Sequence, residues 1–162
     1  HLCDRRQRQM CIRDSFLLGI CDISTHQAEA PVRLEQTASG ELSRHYPVRI
    51  ENGYISFRPA FDAMLEELVE GIPVARISAS FHNTIASALV ECIRQQKEQT
   101  GISTVVLSGG CFQNKRLSEQ LQQLVAKERI TCYLPGRIPC NDGGISAGQL
   151  AVAASRQEVL QK

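Results

Sequence analysis

An apolar β-branched run that ends in two glycines and restarts as an amphipathic helix leaves few folds open. This chain carries such a corner at Val105-Val106-Leu107-Ser108-Gly109-Gly110-Cys111-Phe112-Gln113-Asn114-Lys115-Arg116-Leu117. It reads as strand, loop, helix. The Gly-Gly pair lets the backbone approach a ligand closely, and the N-terminus of the helix that follows suits an anion. A second corner, Cys140-Asn141-Asp142-Gly143-Gly144-Ile145-Ser146-Ala147-Gly148, follows about 30 residues later. Between them lies the short apolar run Ile130–Leu134, with Pro135-Gly136 as a turn and Pro139 leading into the second corner. Helix, strand, corner, helix, strand, corner, helix is the order of an α/β fold with parallel strands.

The elements upstream are helical, apart from one hairpin. Leu17-Leu18-Gly19-Ile20 is apolar, and Ala28 to Glu35 reads as part of a helix with Pro31 tolerated near its first turn. Tyr46 to Phe57 reads as a hairpin about Asn52-Gly53, with Ile50 opposite Ile55 and Val48 opposite Phe57. Phe61, Met64, Leu65, Leu68 and Val69 fall at helical spacing and form a core stripe, closed by Gly71 and Pro73. A longer helix is expected from about Ser78 to Gln99, with Phe81, Ile85, Leu89 and Ile93 along its apolar stripe and Gly101 at its end. Ile102–Leu107 is expected to be a buried strand. The helix after the first corner carries Leu117, Leu121, Leu124 and Val125 on one face. A final alanine-rich helix, roughly Ile145 to Val159, is expected to pack closely on the sheet through its small residues.

Residues 1–15 differ from all of this. Four arginines stand against two aspartates, a local charge of +2, with no apolar period. They read as a non-native leader or an assembly artefact, and the folded unit as 16–162. The whole chain of 162 residues has a net charge of +1, which points to neither a nucleic-acid footprint nor an acidic tail. Its apolar runs are too short to span a bilayer, and no signal peptide is visible. The seven cysteines include no Cys-x-x-Cys pair, and they read as reduced thiols of a cytoplasmic protein.

Ligands of open α/β sheets collect at the carboxyl ends of strands, where both corners fall, so the two corners can face one pocket. Backbone N–H groups around Gly109 and Gly110 suit phosphate oxygens, and Asn114 suits a ribose or base. Neither corner matches the phosphate loop ending in Gly-Lys-Ser/Thr or the three-glycine dinucleotide fingerprint. From composition alone Asp142 is first a helix cap or turn residue, and second a carboxylate ligand to a metal beside phosphate. Glu29 is equally a first-turn carboxylate favoured by the helix dipole or the receiver of a ligand hydroxyl. His82 lies beside an apolar stripe, where a packed or hydrogen-bonded histidine is the ordinary outcome. The four histidines show no paired metal-binding spacing. Cys111 and Cys140 lack a local histidine and read as structural thiols. No catalytic residue is assigned in this chain.

The segments Ser108 to Leu117 and Cys140 to Gln149, with Phe81-His82-Asn83-Thr84 and Leu17-Leu18-Gly19, resemble the C-terminal end of the HypF carbamoyltransferases of [NiFe]-hydrogenase maturation. More distantly the chain is similar to the tRNA threonylcarbamoyladenosine transferases. The resemblance implies the second lobe of an actin-like ATPase (sugar kinase/heat-shock 70) fold, with the hairpin and helices ahead of the parallel strands. It implies that Gly109 and Gly110 contact phosphate, that Asn114 and Glu29 contact nucleotide, and that Asp142 is a metal ligand. Its cofactors would be ATP or carbamoyladenylate and a divalent metal. Carbamoyl phosphate and ATP would be the substrates of the full-length enzyme, and HypE the acceptor of the carbamoyl group on its C-terminal cysteine. No nucleic-acid or membrane partner is implied. The family's His-x-x-x-His metal pair belongs to the preceding lobe and is not in this sequence, and His26-Gln27-Ala28 stands where the family has Tyr-Glu-Gly. The reading is therefore a fragment, inactive by itself. The competing readings are a tRNA-modifying lobe and a non-catalytic nucleotide-binding module.

Overall fold

The computed structural model describes residues 15–160, apart from 27, 41, 42 and 52. After a helical turn at residues 15–17 come the helices α1 (Glu29–Thr37), α2 (Arg58–Val69), α3 (Val74–Thr100), α4 (Lys115–Lys127) and α5 (Ile145–Leu160). Four strands accompany them: β1 (Arg49–Glu51), β2 (Tyr54–Ser56), β3 (Thr104–Val106) and β4 (Thr131–Tyr133). β1 and β2 form an antiparallel hairpin in the expected register, with Ile50 opposite Ile55. Gly53 of its turn has φ +77°, while Asn52 lies outside the described residues. β3 and β4 pair in parallel, Val105 opposite Cys132, with α4 as the crossover.

The spine is α3. Its 27 residues span roughly 40 Å at the α-helical rise. It starts four residues earlier than the sequence pattern suggests, because Pro73 ends the loop with a conformation that feeds the first turn. The early half packs with α1 and α2 in a core of Leu18, Leu34, Tyr46, Ala60, Met64, Ile77 and Phe81. The later half lends Leu89, Val90 and Ile93 to a second core built on Leu107, Leu121, Val125 and Ile130. One apolar stripe thus serves two cores in succession, and α3 joins the helical half of the molecule to the parallel strands.

Polar side chains on the buried half of α3 bond to the elements around it. Ser78 Oγ donates to the Leu34 carbonyl at 2.6 Å, and Asn83 Nδ2 to that of Arg44 at 2.7 Å. Thr84 Oγ1 donates to Ser80 O at 2.7 Å and accepts the Tyr46 N–H at 2.8 Å. The Tyr46 hydroxyl donates to Glu67, which also pairs with Arg44. Burial, and then this carboxylate, push the Tyr46 phenol up. Ser15, grouped with the leader at the sequence level, is buried and donates to the Ala30 carbonyl at 2.8 Å. It packs against the folded body, and residues 1–14 of the leader reading lie outside those described.

Three burial expectations are corrected. In α2 the core positions are Ala60 and Met64, with Phe61 and Leu68 packed at the edge, whereas Leu65 is exposed and Val69 is 87% exposed. The helix presents a narrower stripe than its apolar content suggests. β3 is not a buried strand. Helices α3 and α4 cover the face of Val105 and Cys132, while Val106 (65% exposed) and Tyr133 point away from them. A two-stranded sheet with one covered face buries only every second residue. Nor does α5 pack on the sheet: Ile145, Leu150 and Val152 are exposed, and its described neighbour is the turn Asp142–Gly144.

Replacing fully buried Met64 by Ala is expected to cost about 2–5 kcal/mol in urea denaturation. Val106→Ala should stay within about 0.5 kcal/mol, since it leaves no cavity.

Candidate functional site

The two glycine corners meet. The Gly109 N–H donates to the Cys140 carbonyl at 2.7 Å, tying the end of β3 to the loop after β4. Gly109 sits at φ +104°, ψ 159°, a backbone state that only glycine adopts without strain. It opens the one-turn 3-10 helix Gly110–Gln113, and Asn114 follows as the N-cap of α4. At the second corner Gly144 is required by close approach. A Cβ there would stand 2.3 Å from the Pro139 carbonyl oxygen. At Gly110 a Cβ would meet nothing within 4 Å, so that residue is not demanded by local packing. Ser108, Gly109 and Gly110 are exposed.

The cap of the second corner is Asn141. Its Oδ1 accepts the Gly143 N–H at 3.0 Å, so the turn Asp142–Gly144 does not need Asp142 as its N-cap. The Asp142 carboxylate is exposed in the first turn of that short helix. Asn141, and not Asp142, is thus the N-cap of this short turn.

The start of α4 is occupied by protein acceptors. Asn114 Oδ1 accepts the Leu117 N–H at 2.8 Å, and Glu35 Oε1 of α1 accepts the Arg116 N–H at 3.2 Å. A carboxylate at a helix N-terminus is favoured by the dipole. Glu35 lies 81 residues away in sequence, so no local pattern reveals it. A groove of about 510 Å³ opens beside this contact between α1 and α4, lined in part by Glu35, Gln36, Lys115, Arg116 and Glu119. Two guanidinium nitrogens of Arg116, Nε and Nη2, are buried without a hydrogen-bond partner.

His82 on α3 reaches the same point. It is 3% exposed, with Nδ1 2.8 Å from the Ser78 carbonyl and Nε2 3.0 Å from Asn114 Nδ2. Burial depresses its pKa. The Ser78 bond opposes this, the charge of Arg116 adds to it, and that of Glu35 opposes it.

Glu29 is set apart by its own cluster. It is 4% exposed, and its Oε2 accepts the Thr25 N–H at 2.6 Å and the Thr25 hydroxyl at 2.9 Å. Oε1 pairs with Arg33 at 2.6 Å. The Thr25 backbone bond first, then its hydroxyl, hold the carboxyl below its ordinary value, with help from Arg33. Among the described residues no group of three or more His, Cys, Asp or Glu is arranged to hold a metal ion. No disulfide joins the described cysteines, and burial pushes the Cys132 thiol up.

Comparison with known proteins decides the family. Residues 14–149 match the family model described as the carbamoyltransferase Kae1-like domain, second subdomain. The chain belongs to this carbamoyltransferase family. It is 34% identical over 142 residues to the carbamoyltransferase HypF of Rhodobacter capsulatus, covering 87% of this chain and 18% of that protein. A carbamoyltransferase HypF homolog of Cupriavidus necator is 32% identical over 146 residues, covering 85% of this chain and 37% of that protein. A probable bifunctional tRNA threonylcarbamoyladenosine biosynthesis protein of Thermoplasma volcanium is 30% identical over 103 residues, covering 64% of this chain and 20% of that protein. The crystal structure of full-length HypF in its phosphate- and nucleotide-bound form superposes with a TM-score of 0.85 at 30% identity, over 90% of this chain and 24% of that one. The chain therefore spans less than two fifths of the curated HypF relatives named here. The α/β architecture of this carbamoyltransferase-family chain is that of the HypF structure.

Two outcomes test this geometry. The Glu29 pKa is lowered in the fold, so its stabilisation is present above the unfolded value of 4.5 and is lost as pH falls through the folded value. In thermal melts Glu29→Gln should lie below the parent at pH 7, with the gap closing under acid. Gly144→Ala should destabilise by about 1–3 kcal/mol and shift the amide resonances of Gly109 and Cys140. Gly110→Ala should leave stability within about 0.5 kcal/mol.

Proposed function

We propose that this chain supplies the nucleotide-facing lobe of a HypF-type carbamoyltransferase, the second lobe of an actin-like domain. In this reading, carbamoyladenylate made from carbamoyl phosphate and ATP in another domain is the donor. The C-terminal cysteine of HypE is the acceptor, on the way to the cyanide ligand of the [NiFe]-hydrogenase iron. The observation that carries the proposal is the Gly109–Cys140 hydrogen bond, which fuses two glycine corners into one exposed ledge at the ends of β3 and β4. The likeness to a HypF structure described as phosphate- and nucleotide-bound supports a nucleotide there.

Each residue has a definite part in this reading. Gly109 and Gly110 leave the ledge without side chains, so phosphate oxygens can approach the backbone. Asn114 keeps α4 capped and presents its carboxamide to the nucleotide. Glu29 fixes the Thr25–Glu29 loop, and its oxygens retain lone pairs for a ribose hydroxyl beyond the bonds to Thr25 and Arg33. Asp142 offers one exposed oxygen ligand, which suits a hard divalent cation. The described residues fit such an ion as a single ligand, so the remaining ligands would come from the rest of the enzyme. The ion would neutralise phosphate charge as AMP departs. In the transfer itself the cysteine thiolate forms the S–C bond to the carbamoyl carbon, the C–O bond to the phosphate breaks, and the electron pair leaves with AMP.

The chain spans 18% of the R. capsulatus relative, so transfer is expected of the full-length enzyme and not of this lobe alone. Asp142→Ala in that enzyme should reduce labelling of the partner's terminal cysteine from radiolabelled carbamoyl phosphate by at least about 100-fold. Carbamoyladenylate formation should be intact. Unchanged transfer would leave a nucleotide-binding module without a metal role for Asp142, and labelling of tRNA in place of the cysteine would favour the threonylcarbamoyladenosine reading.

A further inference from the structure

We propose that His82 is a positioning residue for this ledge: a neutral imidazole with its proton on Nδ1, it fixes which way the Asn114 carboxamide faces. The inference rests on the proposed nucleotide role of Asn114 for its consequence, but not for its geometry.

The bonds run in one direction. The Ser78 carbonyl can only accept, so the His82 nitrogen 2.8 Å from it, Nδ1, carries the proton. In the neutral ring Nε2 is then an acceptor, and the group 3.0 Å from it is Asn114 Nδ2, a donor. With Nδ2 turned to His82, Oδ1 faces the Leu117 N–H at 2.8 Å and caps α4. Turning the carboxamide over would set Oδ1 against the Nε2 lone pair and the amino group against the Leu117 N–H. Both contacts would then be mismatched inside a packed site, where each unmade bond is costly. A backbone carbonyl on α3 thus selects the tautomer of His82, the tautomer selects the face of Asn114, and Asn114 closes the first turn of α4. One Nδ2 hydrogen remains for a ligand oxygen, pointing as this chain of bonds dictates.

The same chain breaks if the ring gains a second proton, because Nε2–H would then face Nδ2–H. The charged groups around His82 are Arg116 from α4, which disfavours the cation, and Glu35 from α1, which favours it. The Phe81 ring stands edge-on to the imidazole, 6.3 Å between centroids, and adds no charge. Burial at 3% exposure keeps the ring neutral, so the latch holds across the physiological range.

The deciding experiment has two parts. On the present chain, long-range 1H–15N correlation of the imidazole nitrogens should show Nδ1 protonated and Nε2 unprotonated from pH 8 down to about pH 6. An Nε2–H tautomer or an imidazolium at pH 7 would overturn the proposal without any reference to nucleotide. In the full-length enzyme, His82→Leu should weaken ATP binding by up to about tenfold, the worth of one hydrogen bond. His82→Gln, which keeps an acceptor, should recover most of it, and His82→Leu combined with Asn114→Ala should bind no worse than Asn114→Ala alone. A folded His82→Leu enzyme that binds ATP like the parent, while Asn114→Ala does not, would overturn the positioning role and leave the nucleotide reading in place. Unchanged ATP binding in Asn114→Ala, with the expected tautomer present, would instead overturn the nucleotide reading of Asn114 and keep the latch.

Discussion

The molecule depends on satisfying polar groups along the buried half of α3. Residues Ile77 to Thr84 are all buried, and half of them (Ser78, Ser80, Asn83 and Thr84) carry hydroxyl or amide side chains, with His82 among them. An uncompensated polar group at such depth costs far more than a made hydrogen bond returns. Some of these groups bond within α3 itself, and the others reach partners on three surrounding segments. Leu34 comes from α1, Arg44 and Tyr46 from the segment before the hairpin, and Asn114 from the cap of α4. Those bonds require α1, the loop and α4 to sit at fixed places around α3. Apolar packing alone would allow them to slide.

Position of the glycine ledge follows from this scaffold. The second core, under β3 and β4, is anchored on the far half of the same helix, so the strand ends are placed by α3 as well. Gly109 and Cys140 then meet at 2.7 Å, and the ledge is one surface built from two loops. The uncovered sheet face with Val106 and Tyr133 and the exposed α5 adjoin that ledge in sequence. They agree with a chain that spans a small share of its HypF relatives.

Much of this was legible in the residues. The hairpin register followed from Asn52-Gly53 and alternation, because pairing fixes every side chain once the turn length is known. The parallel strands and the α4 crossover followed from apolar runs placed around glycine corners, and the family resemblance rested on those same corners. Burial was less legible. Leu65, Val69, Val106 and Leu150 are as apolar as their buried neighbours, and only the arrangement of helices decides which of them is covered. Site roles were least legible. Asn141 was not singled out as the cap of the Asp142–Gly144 turn, and Glu35 gave no local signal for its bond to the start of α4.

By itself the sequence determined the order and type of the elements, the two glycine corners and the family, since these rest on local propensities and short spacings. The tertiary structure alone decided that His82 meets Asn114, that Glu35 sits at the α4 N-terminus, and that the two corners share a hydrogen bond. Those contacts join residues 31 to 81 positions apart. Hydrogen bonds at that separation are set by how helices pack around α3, and no window of sequence contains that information.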